Sequence, residues 1–183
     1  MMFVADMPPH VQERVICSVQ AAYRYQIPAN IVLAVAEKED GRPGQWVKNK
    51  NGTFDVGSMQ ANTLYLKDLA KYGITADDVA QGGCYPYDLA AWRIRSHIVK
   101  DSGDIWTRAA NYHSRTPKYN AIYREDLMRK ADKWGAWLMW QQQGQAPQTP
   151  AVLDHRSTIA KTKTVPSKSL TFDNPRSITV SSQ

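Results

Sequence analysis

The stretch Pro28 to Glu39 constrains this chain most, because it ends on a carboxylate set where charge is costly. Its residues, Pro28-Ala29-Asn30-Ile31-Val32-Leu33-Ala34-Val35-Ala36-Glu37-Lys38-Glu39, predict a helix with proline near its first turn and Gly41 just past its end. At about 100° per residue, Glu39 projects between Val32 and Val35, on an apolar face. A carboxyl group there loses water. Its charged form is disfavoured and its pKa rises, the condition a general acid needs near neutral pH. The same position also suits a helix-end glutamate bent out to solvent. Glu37 projects on the far side, beside Leu33. Asp40 turns away from Glu39 by about 100° on a helix. Aimed back at Glu39 it would raise that pKa further, and aimed at solvent it would do little.

The rest of the chain is dominated by helical periodicity. Pro9 to Tyr25 predicts an amphipathic first helix, ended by Ile27-Pro28. After the Glu39 helix, Val47 to Val56 contains Asn51-Gly52, a hairpin signal, followed by Gly57-Ser58-Met59-Gln60-Ala61-Asn62. Asn62 can cap a helix from Thr63 to Tyr72 that Gly73 stops, and Thr75-Ala76-Asp77-Asp78 resembles a capping box. Pro86 opens a helix through Lys100 whose apolar residues lie nearly all round the axis, which predicts a central helix. A short helix from Asp104 to Asn111 delivers Tyr112. Pro117 opens the last helix, with Tyr119, Tyr123, Leu127, Ala131, Trp134 and Leu138 as its expected buried stripe.

Beyond Trp140 the composition changes: residues 141–183 contain no Trp or Tyr and are rich in Ser and Thr. Such a segment cannot bury enough apolar area to offset ordering, so it is expected to be a flexible polar tail. The fold class expected is therefore all-α, a compact helical domain over residues 1–140 with one small β-hairpin loop, followed by the tail. The tail suits a tether to a partner and suits a solvated end equally well.

The chain has a net charge of +6 and a pI near 9.3, which fits an anionic partner. Five basic and two acidic residues in the tail leave half of that charge on the body, with no stripe of the kind a duplex-binding surface shows, so nucleic acid is not expected as a partner. No apolar run is long enough to predict a transmembrane segment, and the residues from Met1 to Asp6 carry no signal-peptide pattern. His10, His97, His113 and His155 lack metal-site spacing, and no glycine loop suits a phosphate, so neither metal nor other cofactor is expected.

Taken together, Glu39 at a helix end, the Asn-Gly turn, Asp55-Val56-Gly57-Ser58-Met59-Gln60-Ala61-Asn62 and the distant Asn111-Tyr112-His113-Ser114 resemble the lytic transglycosylases of the goose-type lysozyme-like fold. More narrowly, they resemble the specialised wall-cutting enzymes of conjugation, type IV secretion and pilus systems, over Val11 to Lys133. The resemblance implies that Glu39 is the catalytic acid and base. It implies that Ser58, Met59, Gln60, Asn62, Tyr112 and His113 bind the sugar, with Met59 as an apolar wall and Tyr112 as a donor to the acetamido region. Asn62 suits a helix cap as well as a ligand, and His113 stands where many relatives have Asn. Goose-type lysozymes have an acid at the position of Asn62, and many relatives have a Ser at that of Asp40.

The activity implied is cleavage of the bond between N-acetylmuramic acid and N-acetylglucosamine in peptidoglycan, with closure of a 1,6-anhydro ring. The expected alternatives are a goose-type hydrolytic muramidase and a non-catalytic wall-binding scaffold. Relatives often carry a cysteine pair at the positions of Cys17 and Cys84, which implies a disulfide and a periplasmic location. Cys17 lies opposite the Val11, Val15, Val19, Ala22 stripe, a poor fit to a simple buried thiol. The partners implied are glycan strands and, through the tail, envelope-spanning secretion or conjugation components.

Overall fold

The computed structural model describes residues 2–144. Residues 145–183, and with them most of the expected tail, lie outside the described residues. Helices α1 (Pro9–Arg24) and α2 (Ala29–Glu39) are followed by strands β1 (Trp46–Lys48), β2 (Phe54–Val56) and β3 (Ala61–Asn62). Helices α3 (Thr63–Leu69), α4 (Ala76–Ala80), α5 (Tyr85–Lys100), α6 (Ile105–Ala110) and α7 (Pro117–Gly144) complete the order. The protein is mostly helical with a small antiparallel sheet, as the periodicity predicts.

The central helix is α2, where the sequence pattern pointed to α5. Ile31 to Ala36 are buried without a break, between α1 on one side and α7 on the other. Truncating a residue such as Leu33 to Ala there costs about 2–5 kcal/mol. α5 instead keeps Trp92 and Val99 in solvent while burying Ala91 and Ile94, so its apolar circumference is only partly used by the core. On α7, Tyr123, Leu127, Ala131 and Trp134 are buried as expected, joined by Trp137. Tyr119 departs from the expected stripe: it is 55% exposed.

α1 and α5 are joined by the Cys17–Cys84 disulfide, with Cα atoms 4.8 Å apart. Cys17 is also buried in the core, because α1 is covered by α2 on one flank and by α5 on another. The residue opposite one apolar stripe thus still meets protein.

The sheet has the order β1-β2-β3, one strand more than a hairpin. β1 pairs Trp46 with Val56 and Lys48 with Phe54, and β2 pairs Asp55 with Asn62. Asn51-Gly52 lies within a longer loop, where Asn49 N–H donates to the Thr53 carbonyl at 2.8 Å and Asn51 Oδ1 accepts from Thr53 N–H at 3.1 Å. The third strand is only Ala61–Asn62, too short for an alternating pattern to reveal. α3 ends at Leu69 and its chain tightens into a 3₁₀ turn, Ala70–Tyr72, before Gly73. The Thr75–Asp78 capping box forms, and α7 runs past the composition change at Trp140 to Gly144.

Candidate active site

Glu39 is the last residue of α2, and the chain turns sharply beyond it. Asp40 takes a left-handed conformation, φ 45°, and its N–H closes the helix on the Ala36 carbonyl at 3.2 Å. Its side chain is 70% exposed and pairs with Arg14 of α1, so Asp40 is turned from Glu39 and is not what perturbs it. Gly41 follows against the Gly57 carbonyl and the Gln60 side chain, where a Cβ would collide with both. This contact fastens the end of α2 to the turn that carries Gly57 to Gln60. Gln60, with φ 47°, donates from Nε2 to the Gly57 carbonyl at 2.8 Å and holds that turn shut.

The Glu39 carboxyl meets α7. Tyr123, itself buried, donates its hydroxyl to Glu39 Oε1 at 2.6 Å. Burial raises the Glu39 pKa from the usual 4.5 to about 7. The Tyr123 hydrogen bond works against that rise, the Asp55 charge adds to it, and the Lys38 and Arg93 charges oppose it. Near neutral pH the group therefore holds its proton about half the time. Glu37, by contrast, is engaged on the α7 side, accepting from Trp134 Nε1 at 2.6 Å and Lys133 Nζ at 3.1 Å.

A cleft of about 770 Å³ opens at Glu39, with Asp55, Gln60, Asn62, Arg93, Tyr112 and His113 on its walls and Lys50, Asn51 and Tyr119 among the other lining residues. A second cavity of about 300 Å³ shares Glu39, His113 and Tyr119 and adds Lys38, Ile122 and Tyr123. Of the residues expected to meet sugar, Gln60, Asn62, Tyr112 and His113 line the cleft. Ser58 and Met59 do not: they are 2% and 0% exposed, because the tight turn aims both side chains into the protein. Met59 supports the site through its backbone, where its carbonyl accepts from the Tyr112 hydroxyl at 2.7 Å. That bond commits the Tyr112 proton, so its hydroxyl meets a ligand as an acceptor and its ring as a wall. His113 stacks on the Tyr123 ring, with centroids 4.8 Å apart, and its pKa is lowered chiefly by burial and then by the Lys38 charge.

Asn62 does two things at once. Its Oδ1 caps α3 by accepting from Leu64 N–H at 3.0 Å, and its Nδ2 donates to Asp55 Oδ1 at 2.8 Å. Asp55 is thereby fixed as a second carboxylate in the cleft. Arg93 of α5 lies over the Tyr65 and Tyr112 rings, at 4.1 and 4.9 Å from their centroids. Behind the Tyr112–His113 segment, Asp101 accepts from Asn111 Nδ2 at 2.8 Å and bonds His97 Nδ1 at 2.7 Å. Asn120 Nδ2 donates to Asn111 Oδ1 at 2.8 Å, tying the segment to α7.

Sequence reasoning missed Tyr123 and Arg93. Tyr123 sat in an apolar stripe, where a hydroxyl reads as core, although a buried tyrosine needs a partner and that need was the available signal. Arg93 had none, since a lone arginine on a helix is ordinarily solvated. Among the described residues, no group of three His, Cys, Asp or Glu side chains is placed to hold a metal ion.

No family model matches the chain. It is 31% identical over 127 residues to Protein IpgF of Shigella flexneri, an alignment covering 67% of this chain and 82% of that protein. Identity to invasion protein IagB of Salmonella typhimurium is 29% over 115 residues, or 62% of this chain and 71% of the relative. Protein IpgF of Shigella sonnei is 30% identical over 119 residues, with coverage of 62% and 78%.

Proposed function

The chain belongs to the family of Protein IpgF and invasion protein IagB, and from that premise we propose that it is a peptidoglycan lytic transglycosylase. The observation that carries the reading is the half-buried Glu39 carboxyl, held by Tyr123 at the floor of an open polar cleft, with a pKa of about 7. Glu39 in its acid form protonates the glycosidic oxygen between N-acetylmuramic acid and N-acetylglucosamine. The carboxylate it becomes removes the proton of the muramoyl C6 hydroxyl, which attacks C1 and closes the 1,6-anhydro ring. Glu39 ends the cycle protonated as it began, so one group near neutrality serves both steps.

Asn62 stands where goose-type enzymes have an acid, and its amide is spent on α3 and Asp55, so it activates no water. Gln60, Tyr112 and His113 orient the sugar. Asp55 supplies negative charge along the wall, which favours the oxocarbenium-like centre. It also favours a second reading. Two carboxylates in one cleft are the equipment of a hydrolysing glycosidase, with Glu39 as acid and Asp55 as nucleophile or base.

The Cys17–Cys84 bond supports an oxidising, periplasm-like location. The role proposed is local opening of the wall for an envelope-spanning secretion or conjugation machine. The name of invasion protein IagB agrees with that role, and residues 141–183 are the proposed contact to such a machine. Mass spectrometry of fragments released from purified sacculi tests the activity. The expected products carry anhydromuramoyl ends, and Glu39→Gln abolishes them in a folded protein. Reducing ends alone would assign a hydrolase, and no release by folded, oxidised protein would assign a scaffold.

A further inference from the structure

Lys38 precedes Glu39 at the end of α2, and its ammonium group is not paired with that acid. Lys38 Nζ bonds Asp126 Oδ2 of α7 at 2.7 Å and lies 5.8 Å from the Tyr123 ring centroid. The hydroxyl of that same ring donates to Glu39. Ammonium and acid thus flank one phenol, and the cavity of about 300 Å³ is lined by Lys38, Tyr123 and Glu39 together. A lysine has a flexible four-carbon stem and a compact charge, well suited to swing across such a gap.

We propose that Asp126 is a positioning residue, which holds Lys38 away from Glu39 so that Glu39 keeps its proton. Several features support this. The Asp126 side chain is only 17% exposed and also accepts from Lys130 Nζ at 3.2 Å and from Arg129. The Lys38 hydrogen bond, followed by those of Lys130 and Arg129, holds its pKa down to about 2 against the opposing effect of burial. Asp126 therefore stays charged wherever the enzyme works, and the restraint on Lys38 does not vary with pH. The charged and titratable groups that line the cavities at Glu39 are Lys50 from the loop between β1 and β2, Asp55 from β2, Arg93 from α5, Tyr112 and His113 after α6, Tyr119 and Tyr123 from α7, and Lys38 itself. Around Asp126 the groups are Lys38, Glu125, Arg129 and Lys130. Among the described residues, Lys38 is the one cation shared by both sets, so it is the route by which Asp126 acts on the acid.

The importance of this coupling to catalysis rests on the reading of Glu39 as the acid. Its test does not. Protein labelled with ¹³C at glutamate carboxyls is titrated by NMR, with Glu39 assigned by its loss in Glu39→Gln. Asp126→Asn is expected to lower the Glu39 midpoint by about one pH unit, a roughly tenfold loss of the acid form above neutrality. Asp126→Glu is expected to restore the midpoint, and Lys38→Met combined with Asp126→Asn to bring it back close to wild type. A purely structural ion pair between α2 and α7 would lower stability in Asp126→Asn and leave the midpoint in place, which would overturn the inference. So would an equal shift with and without Lys38. Wall cleavage retained by Glu39→Gln would refute the catalytic reading instead, while the titration still decided the coupling.

Discussion

Replacing Glu39 by Gln should stabilise the protein at alkaline pH and leave its stability unchanged at acid pH. Below about pH 4.5 the carboxyl is protonated in both folded and unfolded chains, so it adds no pH dependence. Between 4.5 and about 7 the unfolded chain ionises while the folded one keeps its proton, so folding loses stability as pH rises. Above 7 both forms are ionised and the whole penalty is present. The interval from 4.5 to about 7 corresponds to about 3 kcal/mol. Solvent reaching Glu39 along the cleft reduces the gain to about 1–2 kcal/mol. For a domain of this size that is a rise of about 3–6 °C in Tm. Thermal unfolding of both proteins at pH 4 and pH 8 measures it. A variant less stable than wild type at pH 8, or an equal difference at both pH values, would refute a desolvated Glu39.

The hydroxyl of Tyr123 lowers the pKa it sits against, so Tyr123→Phe should move the alkaline limb of the pH–kcat/KM profile upward. It should also cut kcat about tenfold or more through lost positioning of the carboxyl. Asp55→Asn should move the same limb downward, because the Asp55 charge raises the Glu39 pKa. An unmoved limb would separate Asp55 from Glu39. Reduction of Cys17–Cys84, which spans a sequence separation of 67, should cost about 4 kcal/mol by loop entropy, read as a lower urea midpoint.

Much of the fold was legible because helix starts and stops carry strong local chemistry. Pro117, Asn62 and the Thr75–Asp78 box all open helices where the residues predict them. The position of Glu39 on a burying face was legible from spacing alone. What surrounds it was not. Spacing along one helix says nothing of which side chains arrive from elsewhere, so by spacing alone Tyr123 reads as core. Periodicity measures how apolar a helix is around its axis, and it ranked α5 above α2, although Arg93 and Trp92 leave part of α5 uncovered. Asp40 was ambiguous for a similar reason. Its direction depends on a left-handed residue at the helix end and on Arg14 from another helix, and neither is a property of the local pattern. Ser58 and Met59 were carried by the motif around Gly57, whose close approach to Gly41 rotates their side chains out of the cleft.

Digestion of sacculi in water enriched in ¹⁸O, with mass spectrometry of the released muramoyl ends, tests the proposed reaction at its defining bond. Internal attack by the C6 hydroxyl excludes solvent from the new bond. A one-acid transglycosylase yields ends lighter than the reducing form by one water and free of ¹⁸O, formed by wild type and absent with Glu39→Gln. Muramoyl ends carrying ¹⁸O at C1 would contradict it and make the enzyme a hydrolase.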